Sequence, residues 1–87
     1  MTYFTARANG PANVSRYTAA SLRIIRAQVG ASFPLHPIGG EARRAPLAEV
    51  KAFLRTAASA KTVGTSMWEY SEMTPGQWSA LAAAAAN

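Results

Sequence analysis

The 87-residue sequence contains no cysteine and no aspartate, and His36 is its only histidine. The absence of cysteine excludes disulfide bonds, thiolate zinc sites and cysteine nucleophiles. Without aspartate or a second histidine, neither a metal site nor a nucleophilic triad can be assembled within the chain. We therefore expect no metal and no cofactor, and a fold that is stabilised by packing alone.

Long hydrophobic runs are also missing. No stretch approaches the roughly 20 apolar residues of a membrane-spanning helix, and the N-terminus lacks the basic and then apolar pattern of a signal peptide. Apolar residues nevertheless make up 49% of the chain, which is enough for a hydrophobic core. The length predicts a single domain over residues 1–87 with one modest core, and the composition leaves the cellular compartment open.

The net charge is +5, and most of the basic side chains are arginines. They are scattered along the chain, and their longest run is Arg43-Arg44. Such scatter is typical of a generally basic surface. However, Arg16, Arg23 and Arg26 gather on one face of a predicted helix, and a basic face of this kind can attract nucleic acid. Both interpretations remain open.

The first half of the chain predicts a strand, a helix and a second strand. Tyr3-Phe4-Thr5-Ala6 has strand-forming residues, and turn residues follow at Asn9-Gly10-Pro11. A helix is then predicted from Ser15, with Ser15 or Thr18 as its N-cap and Gly30 as its stop. Phe33 to Gly40 is apolar but holds two prolines, so it predicts a short or edge strand. The helix is expected to bury Tyr17, Leu22, Ile25 and Val29.

The second half predicts a helix, a strand and a helix. Pro46 to Ala60 carries an apolar stripe and begins with a proline, which suits a first helical turn. Thr62 to Tyr70 is rich in β-branched and aromatic residues and predicts a buried strand. Thr74 and Gln77 form a capping box at the start of the last helix. The stripe of the middle helix comprises Leu47, Val50, Phe53, Leu54 and Ala57, and that of the last helix Trp78, Leu81 and Ala85.

These elements predict an α/β fold of three short βα units, in the order strand, helix, strand, helix, strand, helix. Strands joined by crossover helices pair in parallel and wind right-handed. Their carboxyl ends then share one edge of the sheet, where sites in such folds lie.

Several segments together resemble the closing part of a bacterial glycoside-hydrolase-like (β/α)8 barrel. The last strand and helix of such barrels carry a pattern similar to Gly64-Thr65-Ser66-Met67-Trp68 followed by Trp78. A complete barrel needs roughly 200 residues or more, so the resemblance implies a partial barrel, about the last third. The other matching segments are Tyr3-Phe4-Thr5, Pro34 to Gly40, Val50 to Leu54 and Val63 to Tyr70.

The resemblance implies a carbohydrate-facing rim to which His36, Trp68 and Tyr70 contribute. Aromatic rings can stack on the C–H face of a sugar, although core packing is the alternative for Trp68 and Tyr70, and a structural role is the alternative for His36. Glycosidases use two carboxyl groups, which in many such barrels come from middle strands. The chain is therefore not expected to be catalytic alone. Glu69 is a weak catalytic candidate, against a solvated or helix-capping carboxylate.

Other functions are predicted on independent grounds. A small basic module could contact nucleic acid through Arg16, Arg23 and Arg26. Open sheet edges favour self-association, or contact with the rest of a barrel. A serine hydrolase is not predicted, because the segment around Ser66 lacks the second glycine of a nucleophile elbow.

Overall fold

The computed structural model describes residues 10–42, 45–68 and 70–85. These residues form three helices, two strands and a single turn of 3₁₀ helix, in the order α1, β1, α2, β2, 3₁₀ helix, α3. The helices are α1 (Pro11–Val29), α2 (Leu47–Ser59) and α3 (Pro75–Ala85); the strands are β1 (Ile38–Glu41) and β2 (Ser66–Trp68); the 3₁₀ helix is Tyr70–Glu72.

The prediction of three βα units in the manner of a barrel third is wrong. The described residues contain one sheet of two parallel strands, with Ile38 opposite Ser66 and Glu41 opposite Trp68. Together with α2 these strands make a single β-α-β crossover, to which α1 and α3 add two further helices. The predicted strand at Tyr3–Ala6 lies outside the described residues. Helices thus dominate the described part of the chain, and its sheet has two strands rather than the predicted three.

Helix α2 is the centre of the packing, because it contacts α1 on one side and α3 on the other. The predicted helix from Pro46 to Ala60 is confirmed to within one residue at each end, with Pro46 at the N-cap. Its predicted stripe is buried except for Leu47. The core also takes a methionine from β2 and a valine from α1. Its buried members include Val14, Val50, Phe53, Leu54 and Met67.

Helix α1 begins earlier than predicted, at Pro11 rather than Ser15. A proline suits the first helical position because its fixed φ matches the helix and its missing N–H has no intrahelical role there. Gly10 precedes it with a φ of 86°, a value that favours glycine. At the other end, Gly30 ends the helix as predicted, with a φ of 96°.

The buried face of α1 also differs from the prediction, because it consists of Val14, Thr18 and Leu22, while Ile25 and Val29 are exposed. The two helices start side by side, since Gly10 at the start of α1 contacts Glu49 in the first turn of α2. At 1.5 Å per residue, the 19 residues of α1 span about 28 Å and the 13 residues of α2 about 20 Å. Arg26 continues the series Val14, Thr18 and Leu22 by one turn, and it bonds the carbonyls of Ala60 and Lys61 just beyond α2. The end of α2 therefore faces Arg26 rather than Ile25 or Val29.

The last strand is shorter than predicted and the last helix faces differently. Only Ser66–Trp68 pairs as a strand, and the side chain of Val63 is 68% exposed. In α3, Leu81 packs against the core, but Trp78 is exposed and does not join an inner stripe. None of the helices in the described ranges is both long enough and apolar enough to cross a membrane.

Candidate carboxyl-edge site

The carboxyl edge of the sheet, where β1 and β2 end, also gathers the starts of the three described helices. The Gly10 N–H at the start of α1 donates to Oε2 of Glu49 in α2, at 3.0 Å. Gln77 in the first turn of α3 donates from Nε2 to the carbonyls of Ala42 and Ala45, each at 2.9 Å. Ala42 directly follows β1 and Ala45 lies just before α2. These bonds hold the three helix N-termini around the end of β1.

Glu49 is a buried carboxylate, with only 8% of its surface exposed. It lies in the first turn of its own helix and accepts a hydrogen bond from the N-cap of another. The positive ends of two helix dipoles therefore both favour its charge. No side chain of α1 caps its own N-terminus. The side-chain acceptor for a backbone N–H, which the sequence predicts at Ser15 or Thr18, comes instead from Glu49 in α2.

Gln77 is buried more deeply, with 2% of its surface exposed. Its backbone N–H donates to Oγ1 of Thr74 at 3.2 Å, and its Oε1 accepts from the Thr74 N–H at 3.0 Å. This reciprocal pair confirms the predicted capping box. The two additional bonds from Nε2 use both amide protons, so the side chain is satisfied at both its oxygen and its nitrogen.

Trp68 lies at this edge as the last residue of β2, and its side chain is 53% exposed. Trp78 follows Gln77 in the helical turn that is bonded to the same edge, and it is 44% exposed. Large aromatic side chains usually bury most of their surface in a core. Two exposed tryptophans on elements that meet at one edge therefore make this edge the strongest candidate for a binding surface, and we call it the carboxyl-edge site.

The other aromatic and acidic candidates are only partly placed by the structure. Tyr70 begins the 3₁₀ helix, so it lies beyond the end of β2 rather than within the predicted strand from Thr62 to Tyr70. Glu69 lies outside the described residues. Glu72 ends the same 3₁₀ helix and is partly buried.

His36 lies at the amino edge of the sheet, because it precedes β1 rather than following it. The structure therefore does not bring it together with Trp68, which ends β2. Its Nε2 lies 2.7 Å from Oγ of Ser66, the first residue of β2. A side chain at Gly64 would begin only 3.1 Å from the imidazole ring, so the glycine allows this close approach.

The contact between His36 and Ser66 has the distance of a base and nucleophile pair. A functioning pair also needs donors for an oxyanion and a group that orients the base. The backbone N–H of Ser66 already donates to the carbonyl of Pro37, and no carboxylate from the described part of the chain lines the cavity beside His36. No group of three metal-binding side chains occurs among the described residues. The pair thus serves to join the segment before β1 to the start of β2.

The predicted arginine face divides into two roles. Arg26 donates to four backbone carbonyls, from NH1 to Ala31 and Phe33 beyond α1, and from NH2 to Ala60 and Lys61 beyond α2, at 2.7 to 3.2 Å. Arg23 is exposed, and Arg16 is exposed and bonded to Asn13 one helical turn away. Arg26 is thus a structural clamp, because it holds the segments beyond α1 and α2 together. Its predicted role in the binding face is replaced by this structural one.

Comparisons with known proteins do not extend this description. No protein-family model matches the chain, and searches of curated proteins and of solved structures found no significant match. The function is therefore inferred from the geometry of the described residues.

Proposed function

We propose that this chain is a binding module that contacts carbohydrate through the carboxyl-edge site, and that it has no catalytic activity of its own. The observation that carries the proposal is the exposure of Trp68 at the end of a parallel strand. An indole in this position presents an apolar face to solvent and an N–H group at its edge. Sugars offer the matching surface, with C–H groups on one face and hydroxyls around the rim.

The surroundings of Trp68 support a rigid platform. Its strand neighbour is Glu41, and the next residue, Ala42, is held by the buried amide of Gln77. Preformed sites lose little entropy when they bind. A shallow site of this kind is suited to a sugar chain that lies across the surface, and oligosaccharides are a better match than monosaccharides.

The test is a titration with soluble oligosaccharides derived from cellulose, chitin and xylan, monitored by calorimetry. We expect at least one series to bind, and Trp68→Ala to weaken that binding about tenfold, since an aromatic stacking contact contributes on the order of 1 kcal/mol. Phe33→Ala is the matched control, because Phe33 is equally exposed but lies beyond α1. If Trp68→Ala binds as well as the unaltered chain, the assignment of the site is wrong.

A second candidate function is contact with nucleic-acid phosphates through α1. Arg16 and Arg23 are exposed, and α1 contains no acidic residue. Their separation of seven positions, close to two helical turns, brings both to one face about 10 Å apart. The clamp role of Arg26 removes the third predicted member, so the face offers two cations. Two neutralised phosphates give a slope of about −2 when the logarithm of the affinity is plotted against that of salt.

The double variant R16Q/R23Q tests this second function against K51Q/R55Q, which removes the same charge from α2. Binding of a short DNA duplex should be lost in the first variant and retained in the second. Equal losses in both variants would show that only the net charge of the chain matters, and salt-independent binding would exclude the phosphate contact.

A further inference from the structure

The contact between α2 and α3 leaves an open groove along its length. A cavity of about 310 Å³ lies there, and its lining residues include Lys51, Leu54, Arg55 and Ala58 from α2 and Ala80 and Ala84 from α3. The cause lies in the composition of α3, because alanine side chains consist of one methyl group and do not fill the space between two helices. We call this feature the α2–α3 groove.

A second cavity, of about 500 Å³, continues the groove toward the C-terminal end of α2. The two cavities share Leu54, Ala58 and Ala84, so they meet along the same line of helix contact. Beyond these residues the second cavity is bordered by Leu81 and Val63, with His36 and two threonines around it. The apolar lining is therefore longer than either cavity alone.

The charge along the groove has one sign. Lys51 and Arg55 lie one helical turn apart and both line the first cavity. Among the described residues, no carboxylate lines either cavity. The only glutamate of α2 is Glu49, which is buried at the opposite face of the helix against α1. The groove thus combines two cations at its start with apolar side chains that continue into the second cavity, where His36, Thr62 and Thr65 add polar groups.

We propose that the α2–α3 groove binds a single-chain anionic amphiphile of the long-chain carboxylate class. The carboxylate would lie between Lys51 and Arg55, where charge-assisted hydrogen bonds are available. The hydrocarbon chain would cover Leu54, Ala58 and Ala84 and extend toward Leu81 and Val63, which removes apolar surface from water. The proposal is independent of the carbohydrate and nucleic-acid sites, since it uses none of their residues.

The probe is decanoate, titrated by calorimetry below its critical micelle concentration and compared with acetate, decan-1-ol and decylammonium. Acetate carries the charge without the chain, the alcohol carries the chain without the charge, and decylammonium reverses the charge. We expect one decanoate per chain, bound at least about tenfold more tightly than any of the three, since a charge-assisted contact is worth about a factor of ten in affinity. Equal binding of decanoate and decylammonium would overturn the proposal.

Two pairs of variants locate the ligand. K51Q/R55Q should weaken decanoate binding about tenfold or more, whereas R16Q/R23Q, which removes the same charge from α1, should leave it within about twofold. Ala84→Leu should fill the groove and abolish binding, whereas Ala82→Leu, on the exposed side of α3, should not. Circular dichroism verifies the fold of each variant, and Ala80→Leu replaces Ala84→Leu if that variant does not fold.

Sedimentation distinguishes binding of an amphiphile in the α2–α3 groove from coverage of the groove by a second copy of the chain. The chain should remain a monomer with and without decanoate. A concentration-dependent dimer that Ala84→Leu disrupts would show that a second copy covers the groove, and would overturn the proposal, as would the absence of decanoate binding below the micelle concentration.

Discussion

The two ends of α2 are joined to the neighbouring helices in different ways. At the N-terminal end the joining groups are a buried carboxylate and a buried amide, whereas at the C-terminal end the joining group is an arginine near the surface. Glu49 and Gln77 join the starts of the helices, and Arg26 joins the ends of α1 and α2. The signs follow the helix dipole, with the anion at the positive ends and the cation at the negative ends. The environments differ, because water can replace a lost bond at the surface but not in the interior.

The contact between α2 and α3 also differs along its length. Near the carboxyl edge it can hold a preformed site, whereas farther along α3 it remains open. Around the end of β1, four side-chain hydrogen bonds fix the start of α3, and two of them are buried. Toward its C-terminal end, α3 is attached to α2 mainly through alanines, and the α2–α3 groove remains. A hydrogen-bonded end and an open groove therefore lie along one pair of helices.

The largest effect is expected from Gln77. Gln77→Ala would remove the described partners of the Ala45 carbonyl and the Thr74 N–H, and would leave the Ala42 carbonyl with only the 3.3 Å bond from the Ala45 N–H. It should lower the free energy of unfolding by about 3 kcal/mol, since each unsatisfied buried group costs roughly 1 to 3 kcal/mol. Gln77→Glu should be at least as harmful, because it places an oxygen against two carbonyl oxygens. Urea unfolding measures both variants. A loss below about 1 kcal/mol in both would contradict the buried bridge.

Glu49 should rank second. Glu49→Ala removes the only side-chain acceptor described for the N-cap of α1, and should cost about 2 kcal/mol, as expected for a hydrogen bond to a charged group near helix N-termini. Glu49→Gln keeps an oxygen for Gly10 and should recover about half of that loss. Oε1 of Glu49 is buried without a hydrogen-bond partner among the described residues, so an increase in stability in Glu49→Gln would show that the buried charge costs more than it contributes.

Substitution of Arg26 should have a smaller effect, because the carbonyls that lose their hydrogen bonds to it are partly accessible to water. Arg26→Ala should lower the free energy of unfolding by about 1 to 2 kcal/mol. Arg26→Lys should not restore it, since an ammonium group has three donors and cannot reproduce the planar fork that reaches both helix ends. Full recovery in the lysine variant would show that charge alone matters at this end. Arg16→Gln is the surface control, with an expected change near zero.

The smallest effect, and one of opposite sign, is expected at Lys61. This residue follows the C-cap of α2 with a φ of 57°, a conformation that glycine adopts without steric cost. Lys61→Gly should therefore raise the free energy of unfolding by about 0.5 to 1 kcal/mol. Lys61→Ala keeps the strained backbone but removes most of the side chain. It therefore separates the stability gained by relaxing φ from the stability lost with the side chain. A decrease in the glycine variant would contradict the assigned backbone conformation.

Local signals explain which parts of the fold the sequence predicts. The stripe and the initial proline of α2, and the reciprocal bonds between Thr74 and Gln77, depend on neighbours within a few residues, and both are confirmed. The start of α1 is not predicted because its cap is Glu49, 39 residues away from Gly10. Ile25 is exposed because the neighbouring Arg26 faces the end of α2, and the carbonyls of Ala60 and Lys61 that hold Arg26 there come within reach only in the folded chain.

The candidate site residues show the same difference between local signals and contacts that form only in the folded chain. The barrel resemblance names Trp68, inside the predicted strand from Thr62 to Tyr70 and with core packing as the alternative, whereas in the structure Trp68 ends β2 and is exposed. The sequence predicts a strand over the segment from Phe33 to Gly40 and so puts His36 near a strand end, whereas β1 begins only at Ile38. Arg26 was assigned to a binding face because carbonyls from Ala31 to Lys61 converge on it only after the chain has folded.

The most direct test of the central claim follows the two indole N–H signals by nuclear magnetic resonance during an oligosaccharide titration, with Trp78→Phe to assign them. If the carboxyl-edge site binds carbohydrate, the Trp68 signal will shift progressively and saturate, together with backbone signals near Ala42. If a bound saccharide shifts signals along α1 or around His36 and leaves the Trp68 indole unchanged, the account of the carboxyl-edge site is wrong.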